Sequence, residues 1–397
     1  MAEVDRPAAI SRPCDESTYG LPWTAARGDV ISTHRIFDVS FPVDFRDRTQ
    51  EDLLSVPEIE NIDLKGEFVS RQLSNRNLHP SLWLVLLGAL TMLNTSVVLA
   101  EVRKETLTYK TVGDLKIQAD VFRHDDDKLR PVVVWLHGGA LINGHREGID
   151  NRLKTAMLDA GYIVVSLDYR LAPETQLPEV IADVEDAFRW IHSKGPDLFR
   201  ADVKRIAVTG GSAGGYLTLT CGFRIKPRPQ ALVAYWGYGD LVGPWYSDPS
   251  PHPAHNQIKV TREEAWQQVS GPAISDARQR KGNGSAFYQY CRQHGAWPKA
   301  VSGWDPKTEP EKFYAYMALK NVTPDYPPTL MIHGEIDTDV PYEQSVLMAA
   351  EFKRHGVEHR LIGLPGGEHG LAGADKKLID DAHLAAHEFI RSHLGKP

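Results

Sequence analysis

From Glu101 onward the chain alternates two kinds of segment. The solidly apolar runs "PVVVWLHGG", "YIVVSLDYR", "VKRIAVTGGS", "ALVAYWG" and "TLMIHGE" each read as a strand buried on both faces. Between them, apolar residues recur at helical spacing, as in Val180, Ile181, Val184, Ala187, Phe188 and Ile191. Ahead of these runs, residues 106–112 and 115–123 alternate apolar and polar positions, the mark of an antiparallel edge pair. The pattern predicts an α/β fold with a mainly parallel central sheet and helices on both faces. No internal repeat is evident. Residues 239–326 interrupt the alternation: rich in Pro, Gly, Trp and Tyr, they separate two predicted central strands and are expected to form a cap over the sheet's carboxyl edge. Trp245, Tyr246, Trp297 and Trp304 of this insertion either line a cleft or pack the cap.

A different pattern precedes residue 101. Residues 1–68 scatter Pro, Asp, Glu and Arg without sustained periodicity and read as a leader, disordered or upstream of the true start. Residues 69–100 resemble a signal peptide: Arg71 and Arg76 supply positive charge, Leu82 to Leu93 an apolar centre, and Val98-Leu99-Ala100 a small-residue cleavage site. The apolar run is about 12 residues long, where a spanning helix wants roughly 20. A cleaved signal is the expectation, with the start near Val69 and no membrane span afterwards. The alternative is a buried core helix. Export to the periplasm or outside follows if the signal is real, and a cytoplasmic location if it is not.

Composition narrows the partners. The chain has 397 residues, a net charge of −7 and 42% apolar residues, enough for a sizeable core. Its basic residues form no run that would track a phosphate backbone, so nucleic acid is not expected. Asp125-Asp126-Asp127 reads as a solvated turn. Of the three cysteines, Cys221 falls on a predicted buried helix and is expected as a free thiol, and Cys221 with Cys291 does not define a disulfide framework.

"VKRIAVTGGSAGGYLTL" carries the chemistry. A strand runs into Gly210-Gly211-Ser212-Ala213-Gly214-Gly215 and a helix follows at once, the setting of a nucleophile elbow. The strained turn needs nearly side-chain-free residues two before and two after Ser212, and Gly210 and Gly214 meet that need. A serine also requires a base, an acid that orients the base, and donors for an oxyanion. In chain order, the acid is Asp337, just past a predicted strand, or its competitor Asp339; the base is His369, in a glycine-rich loop after the last strand. The loop after "PVVVWL" offers the backbone N–H groups of Gly138 and Gly139, which with that of Ala213 are expected to surround the oxyanion, while His137 shapes the loop. His383 and His387 stand four apart on a predicted helix; without a third ligand they are expected on an exposed face. No metal or cofactor is expected.

Over residues 101–394 these motifs resemble esterases of the α/β-hydrolase fold, close to the hormone-sensitive-lipase group and its xylan- and feruloyl-esterase relatives. The family's His-Gly-Gly loop matches His137 to Gly139, its Asp-Tyr-Arg-Leu-Ala-Pro-Glu segment matches Asp168 to Glu174, and its Gly-x-x-Asp-x-x-Val-Pro segment matches Gly334 to Pro341. That last match puts the acid on Asp337. Gly211 stands where many members of the lipase group have aspartate, and Ala140 where many have a third glycine. The resemblance implies a serine carboxylic-ester hydrolase whose activity fades as pH falls through roughly 6 to 7. A short acyl group on a small-molecule or carbohydrate alcohol is the expected substrate. The competing readings are a prolyl-oligopeptidase-type peptidase, although no propeller-like repeat accompanies the motifs, and a ligand-binding protein on a hydrolase scaffold, although such proteins tend to lose the histidine that His369 supplies.

Overall fold

A computed structural model of the protein describes residues 101–396. The leader and the signal-like segment expected in residues 1–100 lie outside them.

Eight strands form one sheet: β1 (Val102–Val112), β2 (Leu115–His124), β3 (Arg130–Leu136), β4 (Ile163–Leu167), β5 (Ala201–Gly211), β6 (Ala231–Tyr235), β7 (Thr329–Gly334) and β8 (His359–Leu364), in the order β1-β2-β4-β3-β5-β6-β7-β8. β1 and β2 pair antiparallel, and β2 pairs antiparallel with β4. All other pairs are parallel. Alternate residues of each central strand join cores on opposite faces. Val132, Val134 and Leu136 of β3 belong to one core with Ile206, Val208, Leu232 and Ala234. Val133 and Trp135 belong to the other with Ala207, Val233, Leu330 and Ile332. This two-sided burial explains why the strands read as solid apolar runs.

Helices cover both faces. α1 (Asn151–Asp159) packs Leu153 and Met157 into the second core, and α2 (Leu177–Phe199) buries the predicted stripe of Val180, Ile181, Val184, Ala187, Phe188 and Ile191 in the first. α3 (Ala213–Arg224) is buried along most of its length, as its many small residues allow. Between β6 and β7 the insertion carries the longer α4 (Ser285–His294) and short helices, among them Pro244–Ser247, Pro253–Asn256, Arg262–Gln267 and α5 (Trp297–Ser302). Tyr246 stacks on Trp297 at 3.6 Å between ring centroids, and Tyr238 meets both edge-on. Tyr246 and Trp297 are therefore packing residues of the insertion; Trp245 and Trp304 remain half-buried. α6 (Glu343–His355) and α7 (Lys376–Leu394) complete the layers.

Two sequence expectations turn on side-chain environment. Cys221 and Cys291 are buried free thiols. His383 and His387 are not on an exposed face: His383 is buried against the Tyr235 ring and His387 is half-buried, because α7 lays this side on the sheet together with Ala382, Ala386 and Ile390. Among the described residues no cluster of His, Cys, Asp or Glu is arranged to hold a metal, and no helix is long and apolar enough to cross a membrane.

Asp183, fully buried on α2, ties together three parts of the chain. It accepts from Lys110 of β1 at 2.6 Å, from the Arg170 guanidinium at 2.7 Å and from the Arg170 backbone N–H at 3.0 Å. Removing the carboxylate would leave the mostly buried Arg170 without its anion and Lys110 with Asp186 alone. Asp183→Ala is expected to lower unfolding free energy by about 3 kcal/mol, measured by urea denaturation of the purified chain. A loss below about 1 kcal/mol, the range of an exposed ion pair, would show that the cluster does not hold the edge strand.

Candidate active site

β5 delivers Ser212 to the carboxyl edge of the sheet and α3 begins one residue later. Ser212 takes φ 58° and ψ −122°, a conformation that costs on the order of 1–3 kcal/mol and persists only where the surroundings enforce it. Its N–H is held by Tyr235 O at 3.0 Å. The flanking backbones crowd together: a Cβ on Gly214 would stand 2.0 Å from Leu136 O, one on Gly210 2.4 Å from the same oxygen, and one on Gly215 2.7 Å from the Gly237 Cα. Only glycine lets β3, β5 and α3 meet this closely. At Gly211, a side chain would press on the Trp236 indole, 3.0 Å from its nearest ring atom; Trp236 in turn sets its edge toward His369.

The chain brings three distant residues into a continuous hydrogen-bonded line. Ser212 Oγ lies 3.1 Å from His369 Nε2, and His369 Nδ1 lies 2.8 Å from Asp337 Oδ2. A carboxylate only accepts, so Nδ1 carries the proton and the Nε2 lone pair is left to receive the serine hydroxyl. Asp337 is itself anchored, its Oδ1 accepting from the N–H groups of Asp339 and Val340 at 2.9 and 2.8 Å. Buried His333 places Nε2 at 3.3 Å from Asp337 Oδ2 and at 2.9 Å from Val340 O, while Ser345 Oγ lies 2.7 Å from its Nδ1. Burial works against the Asp337 charge, but the hydrogen bonds from His333 and His369 outweigh it and hold the carboxyl well below the usual range. For His369, burial disfavours the imidazolium, yet the Asp337 hydrogen bond and the charges of Asp339 and Asp337 prevail over that burial and over the opposing charge of Arg292. Its pKa is raised above the ordinary histidine value.

Glu368 fastens the two loops that carry Asp337 and His369. Its carboxylate accepts from the Thr338 N–H at 2.9 Å, the Thr338 hydroxyl at 3.0 Å and the His369 N–H at 3.3 Å.

The third group of predicted residues lies beside the serine. A Cβ on Gly138 would stand 3.3 Å from the Ser212 Cβ, so this loop borders Ser212 directly. Gly139 has φ 106°, where a Cβ would collide with Asn143 O at 2.3 Å. Ala213 is the first residue of α3, and a first-turn N–H has no partner within its own helix. His137 donates from Nδ1 to Gly138 O at 2.8 Å and stacks on Tyr169 at 4.2 Å, and the Tyr169 hydroxyl donates to His137 O at 2.7 Å. Burial lowers the His137 pKa to about 4, which keeps it neutral. Farther along, Trp297 Nε1 donates to Ala140 O at 3.0 Å, and Arg280 donates to Ile142 O while pairing with Glu174. The segment Asp168 to Glu174 thus acts as a buttress for the glycine loop.

Asp339 is placed differently from Asp337. Its Oδ1 accepts from the Tyr288 hydroxyl at 2.6 Å and sits 3.1 Å from His255 Nε2 and 3.6 Å from Arg292 Nε, all in the insertion. Its Oδ2 lies 3.7 Å from His369 Nε2, on the serine side of the ring. Sequence reasoning did not single out His333, Glu368, Tyr288, His255 or Arg292. Glu368 adjoins His369 and His333 ends a predicted strand, so position offered a hint for these two; the other three sit in irregular sequence far from the motifs.

Residues 133–373 match the model of a family described by its alpha/beta hydrolase fold. Among curated proteins, a non-reducing polyketide synthase of Penicillium brasilianum is 26% identical over 74% of this chain, which spans only 14% of the synthase's length. Two solved structures share the fold. A truncated carbohydrate esterase from gut microbiota aligns with a TM-score of 0.55 and 19% identity, covering 76% of this chain and 99% of that one. An acetyl ester-xyloside bifunctional hydrolase from Caldicellulosiruptor lactoaceticus aligns at 0.54 with 20% identity, covering 75% and 98%.

The elbow geometry makes a prediction. In Gly214→Ala the new methyl meets two backbone carbonyls, which no rotamer change can relieve. The substitution is expected to destabilise the protein by roughly 3 kcal/mol or more, read as a lowered denaturation midpoint. Wild-type stability in this variant would mean that the elbow is packed more loosely than these distances require.

Proposed function

The chain belongs to the α/β-hydrolase fold family, and on that premise we propose that it is a serine carboxylic-ester hydrolase acting through an acyl-enzyme on short-chain acyl esters. The observation that carries this reading is the unbroken line from Ser212 Oγ through His369 to Asp337 at 3.1 and 2.8 Å.

In the proposed reaction, Ser212 Oγ attacks the ester carbonyl as His369 Nε2 takes its proton. Asp337 holds the required tautomer and stabilises the imidazolium. The carbonyl oxygen becomes an oxyanion, and the N–H groups of Gly138, Gly139 and Ala213, beside Ser212, receive it. One such donor is typically worth roughly 3 to 4 kcal/mol. As the tetrahedral intermediate collapses, His369 returns the proton to the departing alcohol. A water, deprotonated by the same nitrogen, then releases the acid and restores Ser212. The fold neighbours named as a carbohydrate esterase and an acetyl ester-xyloside hydrolase support placing the acyl group on a carbohydrate alcohol.

Hydrolysis of p-nitrophenyl esters from acetate to laurate by the full chain tests the reading. The expected result is a rate highest at short chains and reduced to background, on the order of a million-fold in kcat, by Ser212→Ala. Equal rates from both proteins would refute it. The acid limb of kcat/KM supplies a second check. The base must be neutral to act, so activity is lost as pH falls through the His369 pKa, which is raised. The midpoint is therefore expected above about 6.5 and should move to lower pH in Asp337→Asn as the rate drops. A flat profile down to pH 5 would remove His369 from the role of base.

A further inference from the structure

His369 Nε2 must reach the departing alcohol oxygen to protonate it, within about 3 Å of that atom. Whatever else borders Nε2 therefore borders the carbon skeleton of the alcohol. The neighbour there is the Asp339 carboxylate, with Oδ2 at 3.7 Å from Nε2. Its other oxygen is engaged by Tyr288 and His255, with the Arg292 guanidinium 3.6 Å away. Among the described residues Oδ2 has no hydrogen-bond donor, and the side chain keeps 20% of its surface accessible, alongside a 28% accessible His369 and a half-buried Ser212.

From this juxtaposition we propose that Asp339 is a specificity-determining residue: its Oδ2 accepts a hydrogen bond from a hydroxyl on the carbon next to the ester oxygen, selecting esters of vicinal diols and polyols such as glycerol and sugars. In such an alcohol the two oxygens lie about 3 Å apart, close to the 3.7 Å between Nε2 and Oδ2, so Nε2 can meet the ester oxygen while Oδ2 accepts from the hydroxyl.

The surroundings hold Asp339 ready for this role. Arg292, only 4% exposed, donates from Nη2 to Asp339 O at 3.0 Å and from Nη1 to Trp245 O at 3.2 Å. Ser250 Oγ lies 2.6 Å from His255 Nδ1 and fixes that ring. Burial and the Asp339 charge keep Tyr288 protonated, so it remains a donor. Burial alone would neutralise Asp339, but the His255 hydrogen bond, the charges of His369 and Arg292, and the Tyr288 hydrogen bond hold its carboxyl down at about 2, leaving a permanent acceptor. Arg292 offsets the negative charge, so the site favours a neutral hydroxyl over a cationic alcohol.

The inference rests on the esterase reading, and paired substrates separate the two. 2-Hydroxyethyl acetate and propyl acetate differ by a hydroxyl in place of a methyl, so any change in the basicity of His369 cancels in the ratio of their kcat/KM values. The wild-type full chain is expected to favour 2-hydroxyethyl acetate by roughly tenfold to a hundredfold. In the isosteric variant Asp339→Asn, which keeps an acceptor for Tyr288, the ratio should fall at least about fivefold. A wild-type ratio near one, an unchanged ratio in the variant, or a stronger preference for acetylcholine than for 2-hydroxyethyl acetate would each overturn the role of Asp339 while leaving the esterase reading intact. Absence of Ser212-dependent hydrolysis of every ester, p-nitrophenyl acetate included, would overturn both.

Discussion

The whole site depends on how closely three backbones approach at Ser212. β3, β5 and the first turn of α3 meet at distances that exclude even a methyl group at Gly210 and Gly214. That contact forces the serine to φ 58° and lifts its hydroxyl off the sheet edge. It also brings the Gly138 loop alongside, since the same strand β3 that supplies Leu136 O against α3 runs straight into that loop. Ser212 and the glycine loop are thus positioned by a single packing event, and the strain at Ser212 is sustained by the two cores on either face of the sheet.

The remaining parts are positioned by polar ties between loops. Asp337 and His369 follow adjacent strands β7 and β8, and Glu368 hydrogen-bonds to both loops. The insertion between β6 and β7 reaches across to two places at once, holding the glycine loop through Trp297 and Arg280 and the Asp337–Asp339 loop through Tyr288, His255 and Arg292. Its aromatic residues pack the insertion from within, which lets a segment poor in long helices present polar groups at fixed positions. Two aspartates two residues apart consequently do different things. Asp337 faces Nδ1 and sets the tautomer of His369, while Asp339 faces Nε2 and is held by the insertion.

Much of the fold was legible from Glu101 onward because burial on both faces removes polar residues from a strand, and a run such as "PVVVWL" fits few places besides the middle of a covered sheet. The serine, the histidine and the glycine loop were legible for a similar reason: a strained elbow and a close-packed loop tolerate few residue types, so chemistry and spacing appear together in short stretches. The order of the strands and the assignment of acid between Asp337 and Asp339 were not open to local reading, and only a resemblance favoured the first.

What the sequence determined by itself, then, was the layered architecture and the identity of Ser212, Gly138, Gly139 and His369 as candidate chemistry, since each is dictated by backbone geometry or periodicity within a few residues. Tertiary structure alone decided which carboxylate faces which nitrogen of His369, that His383 and His387 lie against the sheet, and that Tyr288, His255 and Arg292 gather on Asp339. The physical reason is range. Backbone strain and burial act through neighbours along the chain, whereas hydrogen bonds between side chains brought together by packing leave no spacing in the sequence from which they could be read.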